Sequence, residues 1–326
     1  MKIIIIVLNT LLLCMNTVAW AQSSTSAPYP NRPIKLIVPY APGGGTDLTA
    51  RLMAKVMSTA LGQSVVVENR AGAGGTIGNE AVAKAPADGY TLLFSAAGPL
   101  TVSPHTYSKL GYEPIKSFAP VALISAQPLI LVVNANSSFN SVADIIKAGA
   151  DKNSKLNYGS FGNGSVAHLA GESFKLATKI NMAHIPYKGT SPALTALLGG
   201  EIDLMFDTIS TSAPFVKSGK LRALAIAYKS RSPLLLNVPT MEQAGVNNFE
   251  AGTWYGVMAP AGIDKKIIQQ INSVLNQGLK EKEITDIFIA EGAVILGGTP
   301  EEFNTFFLAE YKKNGAIVKT VGITEN

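Results

Sequence analysis

Three glycine-rich turns are the features of this sequence most directly suited to chemistry. They span residues 43–45, 72–75 and 162–165, and each follows a β-rich run and precedes a helical pattern. Backbone amides at a helix N-terminus meet the positive end of the helix dipole, which suits an anion. Glycine lets the backbone take a positive φ and approach a ligand closely. Because loops after the strands of an open α/β sheet meet at one crevice, the turns predict an anion site there, although any single one could be only a tight turn.

Two aspartates and two basic side chains lie close to these turns or to later strand ends. Asp47 follows the first turn and Asp207 follows a later strand, so the two carboxylates could meet across the crevice. Such a pair could support hydrolysis, although a helix N-cap explains Asp47 equally well. A carboxylate beside an anion repels it unless it binds an amine, a hydroxyl or a water. His168 could line the crevice or only pack, and Lys188 is a weaker candidate for ligand contact.

Nucleotide, nucleophile and metal signatures are incomplete. A dinucleotide fingerprint that starts at Gly72 needs a glycine where Ile77 stands, and a P-loop that ends at Lys220 needs one where Pro214 stands. No serine occupies the centre of a Gly-x-Ser-x-Gly elbow. The three histidines lack short metal-binding spacing, and the single cysteine excludes disulfide scaffolds and iron–sulfur sites. We therefore predict no cofactor and no metal, and a nucleotide-binding enzyme is disfavoured.

The elements that position these residues alternate between strand and helix. This rhythm is typical of βαβ units and predicts an α/β fold with a mostly parallel sheet. Predicted strands cover residues 34–38, 65–67, 91–94, 129–133, 156–159, 183–186, 202–206, 221–227 and 254–259. Predicted helices cover residues 48–61, 77–84, 142–150, 166–176, 192–198 and 267–279, with a last helix around residues 303–311.

The composition indicates a folded and exported protein. Of 326 residues, 47% are hydrophobic and 15% are charged, which allows a large core and argues against disorder. The net charge of +5 is too mild and scattered to predict nucleic-acid binding. A basic start, an apolar run and the small-x-small pattern that ends at Ala21 predict a cleaved signal peptide over residues 1–21. An uncleaved membrane anchor and a lipidated Cys14 are the alternatives.

Four motifs surround the glycine-rich turns and the later loops. They are PYAPGGGTD at residues 39–47, ENRAGAGG at residues 68–75, GNGS at residues 162–165 and HIPYKG at residues 184–189. Together they resemble the Bug-type receptors, which are the extracytoplasmic solute-binding components of tripartite tricarboxylate transporters. The resemblance covers nearly the whole mature chain. One departure is Tyr40, which adds a hydroxyl where many members have phenylalanine.

This resemblance implies a two-lobed periplasmic binding protein of type II fold, with mixed, mostly parallel sheets and a ligand cleft between the lobes. The lobes would comprise residues 28–124 with 230–326, and residues 125–229, with crossovers near Ser125 and Tyr228. The residues implied to contact the ligand are Gly44, Thr46, Asp47, Ala73, Gly74, Gly75, Ser165, His168, Lys188, Gly189 and Asp207.

The function implied by the resemblance is that of a receptor rather than an enzyme. A monomer in the periplasm would capture a small carboxylate and deliver it to a membrane permease. The identity of the carboxylate, and whether Asp47 accepts an amino group, stay open. A secreted hydrolase that uses Asp47 and Asp207 is the alternative from a different functional class.

Overall fold

A computed structural model describes residues 28–325 of the chain. The predicted signal peptide, its cleavage site and Cys14 lie outside the described residues. The strands of the described chain belong to one ten-stranded mixed sheet.

The first part of this sheet is built from parallel strands. Strand β1 (Ile34–Val38) lies between β2 (Val65–Asn69) and β3 (Thr91–Ala96) and runs parallel to both. Helices α1 (Gly45–Leu61) and α2 (Thr76–Ala83) form the two crossovers between these strands. Because the strands are parallel, the loops after β1 and β2 emerge at the same edge of the sheet.

One long strand joins this first part to a second part of the sheet. In β4 (Phe118–Asn134), residues 118–128 pair with the antiparallel strand β9 (Gly252–Pro260), which also pairs with β3. Residues 129–134 of β4 pair instead with β7 (Leu204–Thr208) and β8 (Leu221–Ile226). The remaining strands are β5 (Asn157–Ser160) beside β7, β6 (Ala183–Pro186) beside β5, and the short β10 (Val294–Ile295) beside β4. The strand that links the two parts therefore changes partners between Pro128 and Leu129.

The other helices follow in chain order. They are α3 (Ser103–Thr106), α4 (Val142–Gly149), α5 (Val166–Thr178), α6 (Thr190–Gly199), α7 (Ile209–Lys217), α8 (Lys265–Gly278), α9 (Lys282–Ala290) and α10 (Pro300–Val321). A 3₁₀ turn, Ala73–Gly75, precedes α2, and a π-helical turn, Gly98–Val102, precedes α3.

Helix α10 packs an aromatic face against β9. Thr299 forms a capping box with the first turn of this helix. The rings of Phe303 and Trp254 are both buried and meet edge to face at 5.6 Å. Gly256 on β9 leaves room for Phe303, because a Cβ at this glycine would lie 2.5 Å from the ring. Burial of each such aromatic side chain is worth about 1.5–3 kcal/mol, so this contact holds β9 in place between the two parts of the sheet.

The predicted α/β fold class is confirmed, and each predicted strand and helix corresponds to an element of the structure. The prediction for residues 129–133 covers only the end of β4. Its first part escaped the sequence pattern because Pro120 and Pro128 interrupt the apolar run, and the ladder has an irregularity directly after Pro120. Helices α3, α7 and α9, strand β10 and the two turns Ala73–Gly75 and Gly98–Val102 were also not predicted as elements.

Candidate functional site

The first glycine-rich loop joins β1 to α1. Gly44 is the N-cap of α1, and no side chain caps this helix. The first helical hydrogen bond runs from the Leu48 N–H to the Gly44 carbonyl, so the amides of the three preceding residues have no helical acceptor. The N-cap interpretation of Asp47 is wrong, because the helix begins two residues earlier, at Gly45. The loop thus presents backbone donors at the positive end of a 17-residue helix.

The second loop joins β2 to α2 through the turn Ala73–Gly75. Its three residues have positive φ values of 45°, 63° and 100°. Gly75 is the N-cap of α2, again without a side-chain cap. The Tyr40 hydroxyl of the first loop donates a hydrogen bond to the Gly74 carbonyl at 3.1 Å, so the first two loops touch each other.

Two further loops come from the second part of the sheet. After β5, Gly162 and Gly164 have φ values of 120° and 70°, and Ser165 is the N-cap of α5. The Ser165 hydroxyl accepts a hydrogen bond from the His168 N–H at 3.2 Å. After β6, Gly189 is the N-cap of α6, where no side chain caps the helix.

The structure brings the loops of the two sheet parts into direct contact. The Ala41 N–H donates to the Lys188 carbonyl at 3.1 Å, and the Ser191 hydroxyl donates to the Pro42 carbonyl at 2.8 Å. These two hydrogen bonds join the loop after β1 to the loop and helix after β6. The Tyr40–Gly74 hydrogen bond joins the first two glycine-rich turns, and Gly74 meets Asn163 of the third, so the three predicted turns converge in the structure.

Glycines allow this close approach. A Cβ on Gly74 would lie 1.8 Å from the Asn163 carbonyl oxygen, well inside van der Waals contact. A Cβ on Gly44 would lie 3.2 Å from the Thr190 Cβ. Gly74 in particular is fixed both by its φ of 63° and by the neighbour it meets across the loops.

A narrow cavity lies between the converging loops. It is lined by Tyr40, Gly44, Thr46, Ala96, Phe161, Val166, Thr190, Thr253 and Tyr255. These side chains offer hydroxyl groups and apolar surface, and none of them is an acidic or basic side chain. Burial raises the pKa of both Tyr40 and Tyr255, so both tyrosines stay neutral at physiological pH. An anion in this cavity would therefore meet neutral donors and helix dipoles rather than a fixed positive charge.

The helices at these loops differ from most others in their caps. Helices α1, α2, α6 and α7 have no side-chain cap. Helix α7 begins close to the first loop, because the hydroxyl of its N-cap residue Thr208 lies 3.1 Å from the position that a Cβ on Gly45 would take. Helix α5 is capped by Ser165. Elsewhere in the described chain, α4, α8 and α10 are capped by side chains, and α3 and α9 are not. The amides left uncapped are thus concentrated at the loops, where a bound anion could satisfy them.

Asp47 does not line the cavity and has protein partners for both oxygens. One oxygen accepts from the Gly43 N–H and the Arg51 Nε, both at 2.9 Å, and the other accepts from Asn69 Nδ2 at 2.8 Å. Its side chain is 2% exposed. Burial alone would raise the pKa of Asp47, but the hydrogen bonds from Arg51, Gly43 and Asn69 outweigh it and hold the pKa below its usual value. Three protein donors thus hold the buried Asp47 carboxylate beneath the loops.

Asp207 is also buried and does not line the cavity. One carboxyl oxygen accepts hydrogen bonds from the hydroxyls of Thr211, at 2.7 Å, and Ser212. Its other oxygen has no partner within residues 28–325. Burial raises the pKa of Asp207 to about 6, although the hydroxyls of Ser212 and Thr211 oppose the shift. Asp47 and Asp207 therefore do not form a pair of carboxylates that faces the cavity.

His168 and Lys188 support the loops rather than line the cavity. His168 Nδ1 accepts a hydrogen bond from the Gly164 N–H at 3.2 Å, and its ring stacks on His184 at 3.9 Å. Burial lowers the pKa of His168 to about 4, so the ring is neutral at physiological pH. Lys188 contributes its carbonyl to the contact with Ala41, and its side chain is exposed.

Several lining residues were not predicted from the sequence. Thr253 and Tyr255 come from β9, which carries no glycine-rich loop and lies far along the chain from the turns. Thr190 had a usable signal, because it directly follows Gly189 at the start of α6. Ala96, Phe161 and Val166 carry ordinary apolar side chains, and only the folded arrangement distinguishes them from core residues.

Comparison with known proteins identifies the family. The profile of TctC, described as the tripartite tricarboxylate transporter family receptor, matches residues 49–323. The chain belongs to this receptor family. The protein BugT of Bordetella pertussis is 39% identical over 295 residues, which are 90% of this chain and 90% of BugT.

Two solved structures place this receptor in a structural context. Rhodopseudomonas palustris Rpa4515 with adipate has a TM-score of 0.88 and 35% identity, over 91% of this chain and 99% of that one. MatC from the same species, with bound malate, has a TM-score of 0.84 and 31% identity, over 89% and 100% of the two chains. The predicted periplasmic-binding-protein fold and the receptor interpretation are confirmed, and nothing favours the hydrolase alternative. None of the helices in the described range has the length and apolarity needed to cross a membrane.

Proposed function

We propose that this receptor captures a small carboxylate between its converging loops and delivers it to the membrane permease of a tripartite tricarboxylate transporter. The observation that carries the proposal is that uncapped helix N-termini meet at these loops, and that two of them, those of α1 and α6, line a cavity of neutral side chains. Two similar proteins hold carboxylates, since Rpa4515 was solved with adipate and MatC with malate.

Neutral donors suit a receptor that must release its ligand. Backbone amides and hydroxyls offer hydrogen bonds that strengthen in a water-poor cleft, while the dipoles add an attraction without a permanent opposite charge. Opening the cleft returns water to these donors, which weakens both terms. We expect the ligand to leave chemically unchanged, because the protein is a receptor and not an enzyme.

The two lobes proposed for this capture comprise residues 28–124 with 230–326, and residues 125–229. The change of β4 partners between Pro128 and Leu129 supports the first crossover, a few residues after Ser125. The chain returns through the segment after β8, in keeping with a crossover near Tyr228. The loops after β5 and β6 already lie against the loops after β1 and β2 in this structure, and opening of the lobes would separate them.

The proposed contacts follow from where the predicted residues lie. Direct contact is proposed for the first-loop residues Gly44 and Thr46, for the turn Ala73–Gly75, and for the amides that open α5 and α6 at Ser165 and Gly189. Supporting roles are proposed for Asp47, His168, Lys188 and Asp207, whose side chains bond to the protein or point away from the cavity. Thr190 and Tyr255 join the contact set because they line the cavity.

A thermal-shift experiment tests this function. The protein is purified from the periplasm, refolded to remove carried-over ligand, and heated with malate, with adipate and with the corresponding dimethyl esters. A ligand that binds only the folded state adds about 2.7 kcal/mol of stability at a hundredfold excess over its Kd. We expect at least one acid to raise the melting temperature, and its dimethyl ester to leave the melting temperature unchanged. The NMR spectrum of the acid released from the protein should be that of the unreacted acid. Equal shifts with acid and ester, or no shift with any acid, would contradict the proposal.

Export is proposed from the same family relationship. The similar protein BugD is a periplasmic binding protein, and cleavage after Ala21 would leave a monomeric mature protein in the periplasm. Intact-mass measurement of the purified protein checks the cleavage site. A mass that includes residues 1–21, or a lipid on Cys14, would contradict it.

A further inference from the structure

Asp47 is the centre of a buried hydrogen-bond network beneath the first two loops. Its carboxylate accepts from the Gly43 N–H in the first loop, from Arg51 one turn along α1, and from Asn69 at the end of β2. Arg51 also donates to the Asn69 side-chain oxygen at 3.1 Å, which closes a ring of three side chains. The network therefore contains a buried anion whose cationic partner, Arg51, is half exposed.

The network continues into the second loop. Asn69 Nδ2 donates to the Tyr40 carbonyl at 3.0 Å as well as to Asp47. The Tyr40 hydroxyl then donates to the Gly74 carbonyl at 3.1 Å. An unbroken path of hydrogen bonds thus runs from Arg51 through Asp47, Asn69 and Tyr40 to Gly74, and it ties the loop after β1 to the loop after β2.

We propose that Asp47 and Asn69 are positioning residues that hold these two loops together as one preformed anion receptor. This inference rests on the proposed capture of a carboxylate by the loops. Asp47 fixes Gly43, directly before the amides that open α1, and Asn69 fixes Tyr40, which in turn holds Gly74. A receptor whose donors are already in place avoids the ordering cost that mobile loops would incur on binding.

An ionised carboxylate fits this position better than an amide of the same shape. Asp47 meets three donors, and a carboxylate is an acceptor at both oxygens. In Asp47→Asn one oxygen is replaced by an NH₂ group, which must face either Asn69 Nδ2 or the Gly43 and Arg51 donors. Either orientation places the new NH₂ group against another hydrogen-bond donor. The variant therefore loses at least one hydrogen bond that holds the loops, although the side-chain volume is kept.

A double-mutant cycle in ligand affinity tests the inference. The Kd of malate or adipate, whichever the wild-type protein binds, is measured by calorimetry for Asp47→Asn, Asn69→Ala and the double variant. We expect each single change to weaken binding by about tenfold or more, which corresponds to 1.4 kcal/mol. Because the two residues act through one network, the double variant should bind no more than about twofold more weakly than the weaker single variant.

Asp203→Asn is the matched control. Asp203, directly before β7, accepts a hydrogen bond from the Asn157 N–H of β5 at 2.8 Å, and it takes no part in the network. Asp203→Asn should lower the melting temperature of the ligand-free protein without changing the Kd, whereas Asp47→Asn should change the Kd at temperatures where it is fully folded.

Unchanged affinity in both single variants would overturn the inference, as would losses that multiply in the double variant. If Asp47→Asn does not fold, Asn69→Ala alone decides, because it removes the tie to Tyr40 and leaves the carboxylate in place. A wild-type protein that binds no carboxylate would instead contradict the proposed function.

Discussion

Replacing Gly74 with alanine should separate ligand capture from folding. Gly74 has a φ of 63°, and a Cβ there would lie 1.8 Å from the Asn163 carbonyl oxygen. Real Cβ atoms essentially never approach closer than 3.0 Å, so the loop after β5 must retreat before Gly74→Ala can be accommodated. The arrangement in which the two sets of loops meet is thereby blocked.

Gly62→Ala provides the matched control. Gly62 has nearly the same backbone conformation, with a φ of 65°, but nothing lies within 4 Å of the position its Cβ would take. A left-handed backbone costs a residue with a Cβ about 1–2 kcal/mol, and both variants carry this cost. For a protein of this size, each kcal/mol lowers the melting temperature by about 2–4 °C, so the shared backbone cost gives similar shifts, and any larger loss in ligand-free Gly74→Ala measures the contact with Asn163.

Ligand affinity should distinguish the two variants. We expect Gly62→Ala to bind the ligand found in the thermal-shift screen as the wild type does, and Gly74→Ala to bind it at least about tenfold more weakly. Calorimetry measures the Kd, and small-angle scattering with and without ligand measures whether the protein contracts. If Gly74→Ala binds and contracts like Gly62→Ala, the loops do not need this contact and the reasoning is refuted.

Three further results are expected. Because the folded-state pKa of Asp207 is raised to about 6, its protonated form favours folding, and that stability is lost as pH rises from about 4 through 6. Denaturant titrations of Asp207→Asn should therefore show a gain in stability relative to wild type that grows over this pH range. A difference between the two proteins that does not vary with pH would contradict this. Gly256→Ala should destabilise the protein by about 1–3 kcal/mol, since its Cβ would lie 2.5 Å from the Phe303 ring; an unchanged melting temperature would contradict it. Glu325→Ala should weaken ligand binding, because Glu325 accepts a 2.6 Å hydrogen bond from Asn163 of the loop after β5. An unchanged Kd in calorimetry would show that this contact does not support closure.

The parts of the site that could be predicted are those with a local signal. Glycine runs between a strand and a helix indicate backbone freedom and free amides within a few residues, so Gly44, Gly74 and Gly189 could be found without a fold, and the last two have a positive φ. The fold class followed from the alternation of strands and helices for the same reason. A local sequence pattern was sufficient for prediction wherever the residues of one short segment determine its backbone conformation.

The side chains that line the cavity depend instead on long-range packing. Tyr255 reaches the cavity because β9 returns between β3 and β4, a pairing that no local pattern specifies. Asp47 was expected to cap its helix or face the ligand, but burial beside Arg51 and Asn69 gives its carboxylate other donors. Those partners lie 4 and 22 residues away, and only the second requires the sheet to form first.

The most direct test of the central claim is a crystal structure of the refolded protein with the best carboxylate from the thermal-shift screen. We predict that the carboxylate lies between the converging loops, with its oxygens bonded directly or through one water to amides of Gly44, Thr46, Gly74 or Thr190. A carboxylate bound outside the loops, or held by a lysine or arginine side chain, would contradict capture by neutral helix N-termini.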